Sequence, residues 1–557
     1  MFAVHARASA ANTRSFQAGA SAMTLVTHDA DGLTVGVDMR ESWRSQTSTA
    51  TWPPLSPSGA GTAVTTSSAR WAAAAQGLPI LAVVIVGLLH LHQAGFSQDE
   101  GALLVYAERI LHGAVAHRDF QSMYGPGMPW VLGGVFLITG PSLVAERLLS
   151  VLIAASVVLL VTRIARRWGP VQGAVAGSLA AVSVVQLPPY ASVWLVAVAL
   201  ILTSLAVTTS VDGRTQTPWR FALAGLLAAL ALSFRVDLAP AVVLCALPLV
   251  LRRERLFAWY ACGAIVGVVP LGVHTIVATP AAVFQNVFVD AVFHSPARHL
   301  PVPPTDLATA FDFFAVLTAV ALAAVASVIA HRRARGSPLT RLLQALTALS
   351  IGLLPEVLQR ADAAHIPYAA FVCFATVPIS LRVIAQARRS HTLRILAPAT
   401  FAACLAATLA AQTMPGVPVA NAGRAFLVDQ WEYSDARAVL ADVNRMATPG
   451  QRVFVGPADM RRTNNTATYL YFLLPDLVPS TYFLEMNPLT ANSRDSRLAA
   501  DVASADVLIL TTEWSVWTET NASAQFGSDT PNQVVDRSFC LRATDGMYRV
   551  YTRCRAT

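Results

Sequence analysis

Two adjacent carboxylates, Asp99 and Glu100, open the stretch "DEGALLVYAERILHG" immediately after a very apolar run. A charge at that boundary is either a solvated flank of a membrane span or chemistry held at the bilayer surface. Other charged and titratable residues recur at the ends of apolar runs further on. Arg235 and Asp237 lie in "SFRVD", His294, Arg298 and His299 in "FHSPARH", and Arg360, Asp362 and His365 in "LQRADAAH". Carboxylates can accept protons and arginines can neutralise phosphate, which makes these the residues able to do chemistry. Each also has a plain structural explanation. Glu100 can serve as a first-turn charge favouring a helix N-terminus, Arg235 and Asp237 can form a structural ion pair, and the histidines match no standard zinc spacing.

The elements that would carry these residues are membrane helices. The 557 residues are 54% hydrophobic and only 13% charged, with a mean hydropathy of +0.51, far from a soluble average. Eleven apolar runs qualify as candidate spans: Leu78–Gly95, Leu148–Ile164, Val171–Leu187, Tyr190–Thr209, Phe221–Phe234, Leu238–Leu251, Phe257–Ala278, Phe311–Ala330, Leu342–Leu358, Ile366–Ala385 and Leu393–Ala411. Phe221–Phe234 and Leu238–Leu251 are short for full crossings and are equally readable as a re-entrant hairpin. Residues 1–77, rich in Ser, Thr, Ala and Gly, read as a disordered cytoplasmic tail.

All basic residues are arginine, which excludes any lysine-based chemistry, whether a P-loop lysine or a Schiff base. The net charge of +8 reflects arginines between spans rather than nucleic-acid binding. With the N-terminus inside, the cytoplasmic turns hold 16 arginines (Arg163, Arg166, Arg167, Arg214, Arg220, Arg252, Arg253, Arg255, Arg332, Arg333, Arg335, Arg341, Arg382, Arg388, Arg389 and Arg394). The outer segments between spans hold six: Arg109, Arg118, Arg147, Arg235, Arg298 and Arg360. This asymmetry requires Met128–Gly140 to be a surface or re-entrant helix. It places every candidate polar group on the outer face.

The first outer segment, residues 96–141, spaces Leu103, Leu104, Ala107, Ile110 and Leu111 on one helical face, as for a helix lying flat in the interface. From about Pro415 the composition turns soluble. "QRVFVGP" (Gln451–Pro457), "STYFLEM" (Ser480–Met486) and "DVLILTT" (Asp506–Thr512) read as strands of an extracytoplasmic α/β domain over 415–557. There Cys540 and Cys554 can pair if the domain faces an oxidising compartment. Cys245, Cys262, Cys373 and Cys404 lie in apolar runs as small hydrophobes.

The stretch Asp99–Gly140, "DEGALLVYAERILHGAVAHRDFQSMYGPGMPWVLGGVFLITG", resembles the first external loop of GT-C fold glycosyltransferases. The resemblance is to the protein O-mannosyltransferase and lipid A aminoarabinose transferase group, with the bacterial RgtA/B/C/D-like enzymes. "ERLLSVLIAASVVLLVTRIARRWG" (Glu146–Gly169) resembles the next element of that family, and "GPG" (Gly125–Gly127) stands where many members have paired prolines. The resemblance implies a polytopic α-helical membrane protein with transmembrane residues 78–414 forming the catalytic domain. It implies transfer of a sugar from a polyprenyl phosphate to a glycan, lipid or protein hydroxyl, because sugar nucleotides are absent outside the cytoplasm.

In that reading Asp99 is the general base, and Glu100 orients the loop or helps to bind a metal. Arg360, then Arg235 and His365, would stabilise the leaving phosphate, while Arg118, Asp119 and Tyr124 would serve the acceptor or the loop. Direct attack would invert the anomeric carbon. No cofactor beyond the lipid-linked donor is implied, and a divalent metal is not readable because no ligand set is specific. Two readings of other classes stand beside this one: a flippase or transporter for lipid-linked saccharides, which would carry its polar groups at mid-membrane depth, and a non-catalytic scaffold.

Overall fold

The computed structural model describes residues 75–208, 217–251, 253–293, 295–388, 393–411 and 414–554. Most of the expected N-terminal tail, together with Arg214, Arg252, His294 and Arg389, lies outside these. From Leu78 onward the described residues form one compact unit.

The helices run α1 (Leu78–His90), α2 (Asp99–Leu111), α3 (Gly127–Thr139), α4 (Leu143–Ala165), α5 (Pro170–Val184), α6 (Val193–Thr208), α7 (Pro218–Leu230), α8 (Ala239–Val250), α9 (Glu254–Ala278), α10 (Pro280–Phe284), α11 (Leu307–Arg333), α12 (Pro338–Gly352), α13 (Leu354–Gln359), α14 (Pro367–Arg388) and α15 (Leu393–Leu409). Each of the eleven candidate spans overlaps a helix among the described residues, though the first helix stops at His90 and the fourth span is helical only over Val193–Thr208. Among the described residues, five helical stretches are long and apolar enough to cross a membrane by length and composition: Leu143–Trp168, Glu254–Ala278, Leu307–Arg333, Pro338–Gln359 and Ile366–Ala387. The boundaries follow capping chemistry. Ser142 and Asp306 accept hydrogen bonds from the first-turn amides of Ala145 and Thr309, satisfying donors a helix start leaves orphaned. His331, Arg332 and Arg333 end α11 against its negative pole.

The two short runs do not pair as a hairpin. α7 packs on α9, and α8 packs on α12. The α7–α9 approach is close enough that a Cβ at Gly263 would meet the Ala222 carbonyl, the small-residue contact typical of apolar helix pairs. α3, at 13 residues, spans roughly 20 Å against a hydrocarbon core of roughly 30 Å.

α2 departs from expectation. It does not lie flat with a single buried face, since every residue from Glu100 to Ala107 is buried. After Glu100, which is neutralised by an ion pair, the run Gly101–Ala107 carries no charge on any side, and such a helix goes inside. α3 covers one side and α17 (Tyr469–Leu473) of the C-terminal domain covers another. The approach to α17 leaves no room for a Cβ at Gly101, which would collide with the Tyr469 amide nitrogen.

The C-terminal domain contains β1 (Val417–Asn421), β2 (Arg424–Val428), α16 (Tyr433–Met446), β3 (Arg452–Pro457), α17, β4 (Val478–Pro479), α18 (Leu498–Ala503), β5 (Val507–Thr511), α19 (Thr530–Ser538), β6 (Phe539–Asp545) and β7 (Tyr548–Arg553). β1 and β2 form a hairpin, and the other five strands form a sheet in the order β4-β3-β5-β7-β6. β3 runs parallel to β4 and β5, while β7 is antiparallel to both β5 and β6. Cys540 and Cys554 form a disulfide across the β6–β7 hairpin.

"QRVFVGP" and "DVLILTT" become β3 and β5, but "STYFLEM" is not a strand. Only Val478–Pro479 joins the sheet. Beyond it the Tyr482 amide donates to the Asp501 carboxylate (2.8 Å) and the Phe483 amide to the Thr481 hydroxyl (2.9 Å), so side chains take the place of a ladder. The freed loop reaches toward the membrane helices. One hydrophobic core runs from those helices through α2 into the near face of the sheet, and a second fills its far face.

Candidate active site

Where α2, one set of ends of the apolar helices and the C-terminal domain meet, they enclose a cavity of about 110 Å³. Asp99 and Tyr106 line it from α2, Tyr124 from the turn before α3, Tyr190 and Ser192 from the α5–α6 connection, and Trp194 from the first turn of α6. Arg235 lines it from between α7 and α8, Glu356 from α13, His365 and Tyr368 from the start of α14, and Glu485 from the C-terminal domain.

Asp99 and Glu100 are separated by helical geometry, because consecutive residues on an α-helix point about 100° apart. Asp99 opens onto the cavity and is the one exposed member of the pair. The segment before it is held by the C-terminal domain. The Thr466 amide donates to the Gln98 side chain (3.0 Å), and the Tyr469 amide donates to the Ser97 carbonyl (3.1 Å).

Glu100 faces the interior and does not line the cavity. Its carboxylate takes both arms of Arg147, with Nε to Oε1 at 2.7 Å and Nη2 to Oε2 at 2.9 Å. Both side chains are essentially without exposure, at 0% and 1%. The remaining Arg147 nitrogen donates to the carbonyls of His90, Leu91 and Gln93, groups left over at the end of α1. One buried ion pair therefore stitches α1, α2 and α4 together. Next to it, Glu146 accepts a hydrogen bond from the Ala191 amide. This contact anchors the segment whose Tyr190 hydroxyl donates to Asp99 Oδ2 at 3.4 Å.

The cationic groups gather on another wall. Arg235 donates to both oxygens of Asp237 (2.8 and 2.6 Å) and to Glu356 (3.1 Å). Its guanidinium lies over the rings of Tyr124 and Trp194, 4.9 and 4.5 Å from their centres. His365 Nδ1 bonds Asp362 (2.7 Å), and Asp362 also accepts from Arg360 (3.3 Å). Arg360 is not part of the lining; it stands behind Asp362, with its guanidinium taken by Glu519 from the C-terminal domain. Arg118 and Asp119 also lie away from the cavity, in a pair that is partly open to solvent.

The loss of bulk solvation around Asp99 raises its carboxyl above the ordinary range. Against this act the charge of His365, the Tyr190 hydrogen bond and the charges of Arg360 and Arg298. The result is a carboxylate that is more basic than a surface aspartate but still held by cations nearby. Among the described residues, no group of three or more His, Cys, Asp or Glu side chains converges to hold a metal ion.

Of the residues singled out in the sequence, the cavity brings together Asp99, Arg235, His365 and Tyr124. It does not include Glu100, Arg360, Arg118 or Asp119. Sequence reading missed Tyr190, Trp194, Glu356 and Glu485. A signal existed for Glu356, a carboxylate near the end of an apolar run. Glu485 had none, because its place depends on how a loop distant in sequence docks.

No protein-family model matches the chain, and no characterised protein matches it in sequence. Its structure is similar to the crystal structure of ArnT from Cupriavidus metallidurans bound to undecaprenyl phosphate. That match has a TM-score of 0.52 at 13% identity and covers 86% of this chain and 98% of the other. The apo structure of the same ArnT gives a TM-score of 0.50 at 13% identity, over 87% of this chain and 98% of that one. Across nearly the whole length of those structures, then, this chain shares the fold of ArnT, here a bundle of apolar helices joined to a C-terminal α/β domain.

Proposed function

We propose that the protein is a membrane glycosyltransferase that moves a sugar from a polyprenyl-phosphate donor to an extracytoplasmic acceptor hydroxyl. The observation that carries this reading is Asp99. It is a cavity-facing carboxylate with no ion-pair partner among the described residues, in a fold whose ArnT representative was crystallised with undecaprenyl phosphate.

Asp99 takes the proton of the acceptor hydroxyl, whose oxygen then attacks the anomeric carbon. The bond from that carbon to the phosphate oxygen breaks, and its electron pair leaves with the lipid phosphate. Attack opposite the leaving group inverts the anomeric centre. Arg235 and His365, the cationic and hydrogen-bonding groups of the lining, face the leaving phosphate. Arg360 adds its field from behind Asp362. Glu100, consumed by Arg147, sets the position of α2 and touches no reactant. The acceptor can be a glycan, a lipid or a protein.

The reading places eleven crossings in the cell membrane, with the cavity and the C-terminal domain outside. The arginine asymmetry supports this, and so does the Cys540–Cys554 disulfide, which belongs to an oxidising compartment. A periplasmic reporter fused after Thr557 should be active, and one inserted in the Arg332–Arg335 turn should be silent; the reverse pattern would overturn the orientation. To test the donor class, purified protein in lipid vesicles is given labelled undecaprenyl-phosphate sugars or nucleotide sugars, with an envelope extract as acceptor. Label should leave the lipid only in the first case, with free undecaprenyl phosphate released. Direct use of a nucleotide sugar, or translocation of an unchanged lipid, would contradict the reading. The flippase alternative places its polar groups at mid-depth, whereas Asp99 here stands at a helix start beside the C-terminal domain.

A further inference from the structure

We infer that Glu485 is the residue through which the C-terminal domain recognises the donor sugar, accepting hydrogen bonds from two neighbouring hydroxyl groups of a neutral sugar. The inference rests on the glycosyltransferase reading above and adds a substrate class to it.

Among the described residues, Glu485 is the one side chain beyond position 414 that lines the cavity. Its two oxygens are held but not used up. Oε1 accepts from the Tyr106 hydroxyl (3.1 Å) and Oε2 from the Asn487 amide (3.1 Å). A carboxylate oxygen accepts more than one hydrogen bond, so each keeps capacity directed away from its present partner. No arginine or histidine reaches ion-pair distance of Glu485 among the described residues. A carboxylate kept in a largely closed site without a cation is costly and persists where a ligand completes its shell. Two adjacent hydroxyls of a sugar ring supply the two missing donors.

The loop that presents Glu485 is built to hold it still. Met486 adopts a left-handed backbone (φ 50°), uncommon for a residue with a side chain and concentrated at sites where position matters. The loop is pinned on both sides of Glu485. Thr468 donates to the Leu484 carbonyl (3.0 Å), the Tyr482 hydroxyl donates to the His117 carbonyl (2.6 Å), and Arg298 donates to Asn487 (3.4 Å). Glu485 is also close enough to Asp99 for the negative charge there to disfavour its ionisation, after burial itself. The wall formed by Asp99 and Glu485, two carboxylates free of ion pairs among the described residues, welcomes hydroxyl donors and repels a carboxylate on the sugar, while Arg235 and His365 stand where the phosphate goes, so a sugar acid is rejected and a neutral polyhydroxyl sugar accepted.

The test measures equilibrium binding to purified full-length protein in detergent, which needs no turnover. The probes are undecaprenyl phosphate, undecaprenyl-phosphate hexose and undecaprenyl-phosphate hexuronic acid. The wild type should bind the hexose lipid at least tenfold more tightly than the bare lipid phosphate, the effect expected for hydrogen bonds to a charged acceptor. Glu485→Ala should bind both alike, with bare-lipid affinity within twofold of wild type, which also reports an intact fold. Glu485→Gln should keep part of the preference and gain affinity for the hexuronic acid. If Glu485→Ala retains the wild-type preference, the inference falls while the glycosyltransferase reading stands. If the wild type binds neither undecaprenyl phosphate nor its hexose derivative, the donor reading falls and takes the inference with it.

Discussion

Asp99→Asn should lower the rate of sugar transfer about a hundredfold or more while leaving the protein folded. The amide keeps the shape of the side chain but cannot take the acceptor proton, and positioned base catalysis is typically worth ~10² to 10⁴. The fold should tolerate the change, because among the described residues the one side-chain bond of Asp99 is the long contact from Tyr190, at 3.4 Å. The same assignment fixes the pH dependence. The base works in its ionised form, so activity is lost as pH falls through its pKa. Since desolvation by the cavity walls raises that pKa, the acid limb should lie above the ~3.9 of an unperturbed aspartate. Tyr190→Phe removes a hydrogen bond that favours the ionised form, so it should move the acid limb further up. Initial rates across pH for the three proteins check both points. A wild-type rate in Asp99→Asn would remove it as the base.

Breaking the Glu100–Arg147 pair should be the most damaging change outside the cavity. Arg147→Met leaves a fully buried carboxylate without its partner and also removes three bonds to the end of α1. Orphaning one member of such a pair costs on the order of 3–5 kcal/mol, which rivals the whole stability of many domains. Thermal unfolding of the detergent-purified protein should show a large drop in midpoint or a failure to accumulate. Glu100→Gln, which leaves the arginine charge buried, should do the same. A Glu100→Gln protein of normal stability with a hundredfold loss of turnover would instead return Glu100 to the reaction.

How far the sequence could be read follows from which interactions are local. Asp99 stood out because a charge at the end of an apolar run is a local feature, and the helix period separates it from Glu100 by simple geometry. The different fates of the two acids depended on Arg147, which is 47 positions away, so the pair looked more alike in sequence than it is in space. α2 was assigned one buried face because its periodicity marks a single stripe, yet its other sides are buried by a domain more than 350 residues later, through Gly101 and Tyr469. β3 and β5 announced themselves as short β-branched runs. "STYFLEM" looked the same, but Asp501 and Thr481 took its amides and turned it into the loop that carries Glu485. Arg360 ranked above Arg235 because it shares one turn with Asp362 and His365, and its engagement by Glu519, 159 positions away, is not legible in that turn.

The most direct test of the central claim is a structure of this protein with undecaprenyl phosphate bound. The lipid phosphate should lie in the cavity, against Arg235 and His365 and within one sugar's width of Asp99 and Glu485, with the isoprenoid chain leaving between membrane helices. A phosphate bound at another site, with the Asp99 cavity unchanged, would contradict it.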